Sequence, residues 1–171
     1  MTRILVAGVG NIFCGDDAFG VEVAAELMRR RALPASVDVK DFGIKGLDLA
    51  YALIEGYDAA IIVDAAARGL APGALSLIKP ERAAKNEGAP QTLFAASHGL
   101  DPEKVLDLVA ALGGACNQIL FVVCEPFTLG GEDGWMGLSD IVAAAIEPSV
   151  HLVENLVSSL LREDEIALRA C

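Results

Sequence analysis

Cysteine is scarce and scattered in this sequence: Cys14, Cys116, Cys124 and Cys171 are the four, and no two form a C-x-x-C pair. That spacing offers neither a zinc knuckle nor a disulfide framework, so a reducing cytoplasm is the expected compartment. No uninterrupted apolar run reaches the length needed to span a bilayer, and Met1 leads straight into a strand-like segment without a basic, apolar, small-residue leader. No membrane is therefore expected among its partners. A G-x-S-x-G elbow and an H-E-x-x-H helix are both missing, which removes the signatures of serine hydrolases and zincins. Positive charge is in deficit as well, with 13 Lys and Arg against 24 Asp and Glu and a net charge of −11. Nucleic acid, whose phosphates need basic patches, is excluded on that balance as an expected partner. A protein with a basic surface is compatible with it, although acidic charge also simply keeps proteins dispersed.

What is present is enough for one well-filled core. The chain has 171 residues, 54% of them hydrophobic, the size of a single domain over residues 1–171. Arg3 to Ala7 is too short an apolar run for helical periodicity and reads as a buried first strand. Phe19, Val21, Val23, Ala24, Leu27 and Met28 form an apolar helical face from about Ala18 to Arg31, and Arg29, Arg30 and Arg31 complement the dipole at its end. Val37 to Phe42 alternates like a half-exposed strand, Leu47 to Ile54 reads as a helix, and Ala59 to Ala65 reads as a strand covered on both faces. Ala74 to Ile78 is a further short strand, Pro80 to Gln91 a surface loop, and Asp101 to Leu112 a helix with Asp101 as N-cap and Pro102 in its first turn. Ile119 to Val123 is the last buried strand. Ser139 to Leu161 is a helix that Pro148 is expected to kink or split. Such alternation predicts a three-layer α/β fold, a mostly parallel twisted sheet flanked by helices, with no internal repeat.

Chemistry concentrates in the loop Gly8-Val9-Gly10-Asn11-Ile12-Phe13-Cys14-Gly15-Asp16-Asp17-Ala18-Phe19-Gly20. It imitates a dinucleotide fingerprint, but Phe13 occupies the slot of the third glycine and two carboxylates stand where a pyrophosphate would lie. A nucleotide-binding reading is weakened accordingly, and a cation suits the loop better. In an open parallel sheet ligands bind beyond the carboxyl ends of the strands. One of the adjacent acids Asp16 and Asp17 follows the first strand, Asp64 closes the third, and His98 lies in the loop before the Asp101 helix. Two carboxylates and an imidazole suit a first-row divalent ion such as nickel or zinc and leave coordination positions open. Each residue also has a structural reading. Asp16 or Asp17 could cap the following helix, Asp64 could be a hydrogen-bonded buried acid, His98 a surface residue, His151 a structural helix residue and Cys14 a small buried apolar one.

Ile4 to Gly20, the Val63-Asp64-Ala65 strand end and the Ser97-His98 loop together resemble the hydrogenase maturation endopeptidases, in order and spacing over nearly the whole chain. The resemblance implies an endopeptidase that removes the C-terminal extension of a nickel-iron hydrogenase large-subunit precursor, its partner. It implies that nickel already carried by that substrate is the recognition tag, with no organic cofactor. It places the metal-contacting roles on Asp17, Asp64 and His98, and aligning Asn11 selects Asp17, with Asp16 as second choice. The segment Asp41-Phe42-Gly43-Ile44-Lys45-Gly46 corresponds to a turn that many members write Asp-Gly-Gly-Thr-x-Gly. Asp41, Gly43 and Gly46 thereby become substrate-recognition residues, while Phe42 and Ile44 depart from the pattern. The region around Glu125, Pro126 and Trp135 is an expected partner surface. A nickel-binding accessory protein that cuts no bond is the alternative activity.

Overall fold

Five runs rich in Val, Ile, Leu and Ala form one sheet in the computed structural model, which describes residues 2–80, 109, 110, 113, 116, 118–131 and 134–169. The strands are β1 (Ile4–Val9), β2 (Val37–Gly43), β3 (Ala59–Ala65), β4 (Leu75–Ile78) and β5 (Gln118–Cys124), in the order β2-β1-β3-β5-β4. β2, β1, β3 and β5 run parallel, while β4 closes the edge antiparallel to β5. The sheet is mostly parallel, as expected, with one antiparallel strand. Parallel neighbours need long crossovers, and those from β1 to β2 and from β2 to β3 each carry a helix.

β1 and β3 are buried at every residue, which is why their sequences are continuously apolar rather than alternating. Alternation reappears in which face each residue joins. Ile4, Val6, Ile61 and Val63 enter one core with Phe19, Val23, Leu27, Val150, Val153 and Val157, whereas Leu5, Ala7, Ala60 and Ile62 enter the other with Leu49, Leu53 and Phe121. The first core lies under α1 (Phe19–Arg30) and α4 (Ile146–Arg169), which pack on each other, and the second under α2 (Gly46–Ile54). Each of these fully buried Leu, Ile or Phe side chains contributes about 2 kcal/mol.

The C-terminal helix does not break where its proline stands. A single turn, α3 (Asp140–Ala143), is followed by α4 from Ile146, so the interruption falls at Ala144 and Ala145 and Pro148 sits inside the first turn of α4. The missing N–H of proline has no intrahelical partner there anyway, whereas its ring would meet the carbonyl four residues back. Residues 140–163 are long and apolar enough, by length and composition alone, to cross a membrane. In the fold they bury Val142, Ala145, Val150, Val153, Val157 and Leu160 against the sheet and expose Glu147 and His151. The expected loop over 80–91 beyond Pro80 and the Asp101 helix lie outside the described residues, apart from helical Val109 and Ala110.

Candidate active site

The chain leaves β1 leftward to β2 and returns past it to β3, so the switch point of the sheet lies between the carboxyl ends of β1 and β3. Loops diverge there and open a crevice. Gly8 and Gly20 let α1 approach this point. A Cβ at Gly20 would stand 2.0 Å from the Val63 carbonyl oxygen and 2.3 Å from that of Val9, and one at Gly8 would stand 2.4 Å from the Gly20 oxygen. Gly20 thus performs the close helix-to-strand packing that a third fingerprint glycine performs elsewhere, seven residues beyond the slot Phe13 fills.

Between β1 and α1 the chain folds back on itself. Gly10, at φ +141°, donates to the Gly43 carbonyl at 3.0 Å, and a Cβ on it would lie 1.7 Å from the Asp17 carbonyl oxygen. Asn11 accepts from the Phe13 N–H through its side chain at 3.0 Å, and its own N–H donates to Asp17 Oδ2 at 2.8 Å. A 3-10 turn over Gly15–Ala18 then leads into α1 and packs on β3. Neither acid caps a helix, since no side-chain cap bond occurs at the start of the turn or of α1.

The two adjacent acids have opposite fates. Asp17 is half-buried and stays on the loop side, bonded to Asn11. Asp16 is fully buried and turned into the protein, where Oδ2 accepts from the N–H groups of Phe127 at 2.8 Å and Thr128 at 2.9 Å and from Ser139 Oγ at 2.9 Å. Oδ1 accepts from the Ser139 N–H at 2.7 Å. With both oxygens taking hydrogen bonds from residues remote in sequence, Asp16 bolts two loops together. Asp64, 3% exposed near the end of β3, accepts from the Ala65 N–H at 2.8 Å. Asp17, in the turn between β1 and α1, and Asp64, near the end of β3, thus flank the switch point. His98 lies outside the described residues, and among the described residues no group of three His, Cys, Asp or Glu side chains converges to hold a metal.

The β2–α2 turn abuts this loop through the Gly10–Gly43 bond. Asp41 Oδ1 accepts from the Gly43 N–H at 2.8 Å, Gly43 takes φ +52°, and Gly46 donates to the Ile44 carbonyl at 3.0 Å. All three expected recognition residues shape the turn. Of the two departures from the common pattern, Phe42 is buried in the core and Ile44 is 75% exposed, so Ile44 alone presents its side chain outward.

Sequence reasoning missed Glu125. Expected as partner surface, it is buried, accepting from the N–H groups of Arg68 at 2.8 Å and Gly69 at 3.2 Å and so tying the loop after β3 to the end of β5. An acid directly after an all-apolar strand was the available signal, the same one that marks Asp64. Trp135 is exposed as expected, with Phe127 and Met136 beside it in the same loop. Buried Cys124 has its thiol pushed up to about 12 by burial and then by the charges of Asp16 and Glu125. It remains protonated and is no nucleophile.

Fold and site define a doubly wound α/β protein with carboxylates, rather than a phosphate cradle, at its switch point. The family model for hydrogenase maturation proteases matches residues 21–156. HupD of Bradyrhizobium diazoefficiens, a hydrogenase expression/formation protein, is 35% identical over 150 residues, covering 88% of this chain and 75% of that one. The hydrogenase 2 maturation protease of Escherichia coli is 32% identical over 167 residues, covering 94% and 97%. The solved structure of the hydrogenase maturating endopeptidase HybD from Escherichia coli superposes with a TM-score of 0.70 at 30% identity, over 95% of this chain and 94% of that one. The chain belongs to the hydrogenase maturation protease family and is an endopeptidase, a peptide hydrolase.

Proposed function

We propose that this endopeptidase removes the C-terminal extension of a nickel-iron hydrogenase large-subunit precursor after nickel insertion, reading the nickel that the substrate carries. Asp17, Asp64 and His98 complete the coordination of that nickel, and Asp41, Gly43 and Gly46 form the turn against which the precursor is read. The observation that carries the reading is the placement of Asp17 and Asp64 on either side of the switch point, with the Asp17 turn packed on the strand that holds Asp64. Carboxylate and imidazole donors suit nickel(II), and an ion held from both partners fixes the scissile peptide relative to the enzyme, replacing a random encounter by an oriented one. No organic cofactor enters. We place this work in a reducing cytoplasm, which suits a sequence whose four cysteines form no C-x-x-C pair.

Nickel-loaded precursor incubated with the protein and weighed by mass spectrometry tests this. Shortening is expected with the wild type, and Asp17→Asn, Asp64→Asn and His98→Ala should each slow it by ~100-fold or more with the fold retained by circular dichroism. A precursor that stays full length while nickel still passes to the protein would establish the non-cutting accessory role instead. Normal cleavage by two of the three variants would overturn the site assignment.

A further inference from the structure

The four bonds to Asp16 do more than satisfy a buried charge. A carboxylate stripped of water needs several strong donors, and here all four, three backbone N–H groups and one hydroxyl, belong to Phe127, Thr128 and Ser139, in the chain that follows β5 two strands away from β1. Backbone bonds run alongside. Asp16 donates to the Thr128 carbonyl at 2.9 Å, Gly15 to that of Trp135 at 2.6 Å, and Trp135 to that of Phe13 at 3.0 Å. A side chain on Gly15, at φ +58°, would meet the Thr128 oxygen at 2.9 Å, so the two segments approach too closely there for any residue but glycine. Asp16 and Asp17 are consecutive in one 3-10 turn, where successive side chains project about 120° apart. One carboxylate anchored inward therefore fixes the direction of the next.

We propose that Asp16 is a positioning residue: by gripping Phe127, Thr128 and Ser139 it holds the Gly15–Ala18 turn rigid and thereby aims the Asp17 carboxylate at the mouth of the site. The inference rests on the reading of Asp17 as a ligand to the substrate's nickel. Buried groups that orient a ligand in this way typically carry a 10–100-fold effect on activity.

Asp16→Asn replaces an acceptor oxygen by an NH2 group facing N–H donors, and Ser139→Ala removes only the hydroxyl donor. Amide hydrogen exchange is read at Phe127, Thr128 and Ser139, which report on the grip, and at Asn11, whose N–H bonds Asp17 Oδ2 and reports on the aim. In Asp16→Asn all four amides should exchange about tenfold faster or more, with kcat for precursor shortening down roughly 10–100-fold and KM within about threefold. Ser139→Ala should move the same quantities in the same direction by less, and it decides the matter if Asp16→Asn does not fold. Unchanged exchange at Asn11 beside accelerated exchange at the other three would overturn the proposal, since the grip would then stop short of Asp17. So would a wild-type kcat in a variant whose Asn11 amide is loosened. A wild-type enzyme that fails to shorten the precursor counts against the endopeptidase reading alone, and the Asn11 amide then decides the positioning claim.

Discussion

Two ends of the molecule treat carboxylates in opposite ways. At the mouth of the site, Asp16 and Glu125 are buried and bonded mainly to backbone N–H groups of loops remote in sequence. On the helical flank, Glu26 of α1 and Glu147 of α4 are joined by Arg30, with Arg29 also on Glu26, all at the surface. The guanidinium bonds of Arg29 and Arg30 hold the Glu26 carboxyl down at about 2, and the Arg30 bond lowers Glu147 as well. A backbone amide cannot move without its chain, so a carboxylate bound to it dictates the shape of a loop. An arginine head on a flexible stem follows its partner, and such exposed pairs add little stability. The mouth is thus a built structure, whereas the flank is decorated.

Gly20→Ala is the substitution expected to break the mouth most severely. Its Cβ would fall on two backbone carbonyls that cannot withdraw, and a loss of about 4 kcal/mol or more is expected in urea denaturation. A midpoint close to wild type would show that α1 can slide and that the close approach is not required. Glu125→Gln should cost about 2 kcal/mol, because one of the two amides it binds loses its charged acceptor. Faster proteolysis between Ala66 and Ala74 would place that loss in the loop it ties, and unchanged cutting there would refute the tie by Glu125. The smallest effect is expected on the flank, from Glu26→Gln. Its folded value of about 2 lies below its ordinary 4.5, so the stability it lends is complete above about pH 4.5 and fades as pH falls through about 2. The variant should therefore show a small loss of urea midpoint at pH 7 that disappears toward pH 2, so that its midpoint declines slightly less steeply across that window; an equal loss at pH 7 and pH 2 would contradict the assignment.

Much of the fold could be read from the chain because burial on both faces leaves a plain mark. Ala59 to Ala65 reads as a covered strand and forms one over the same residues, and the first helix departs from expectation only in the 3-10 turn before it. The antiparallel direction of β4 carries no such mark, since four residues at an edge look alike in either direction. At the site, Asp64 was visible as an acid ending an apolar strand, and Glu125 left the same signal unheeded. The division between Asp16 and Asp17 was not legible by the same means. Two identical neighbours in a glycine-rich loop differ only in what faces them, and what faces Asp16 comes from residues 127–139.

Composition and periodicity by themselves determined a mostly parallel sheet between helices and a carboxylate-bearing loop at the end of its first strand, because hydrophobic burial acts locally on side-chain spacing. Which acid is locked inside, which one looks outward, and that the thiol of Cys124 is quenched by burial were decided only by tertiary structure. The physical reason is that hydrogen-bond donors for a buried charge, and the dielectric around a thiol, are supplied by segments more than a hundred residues away along the chain.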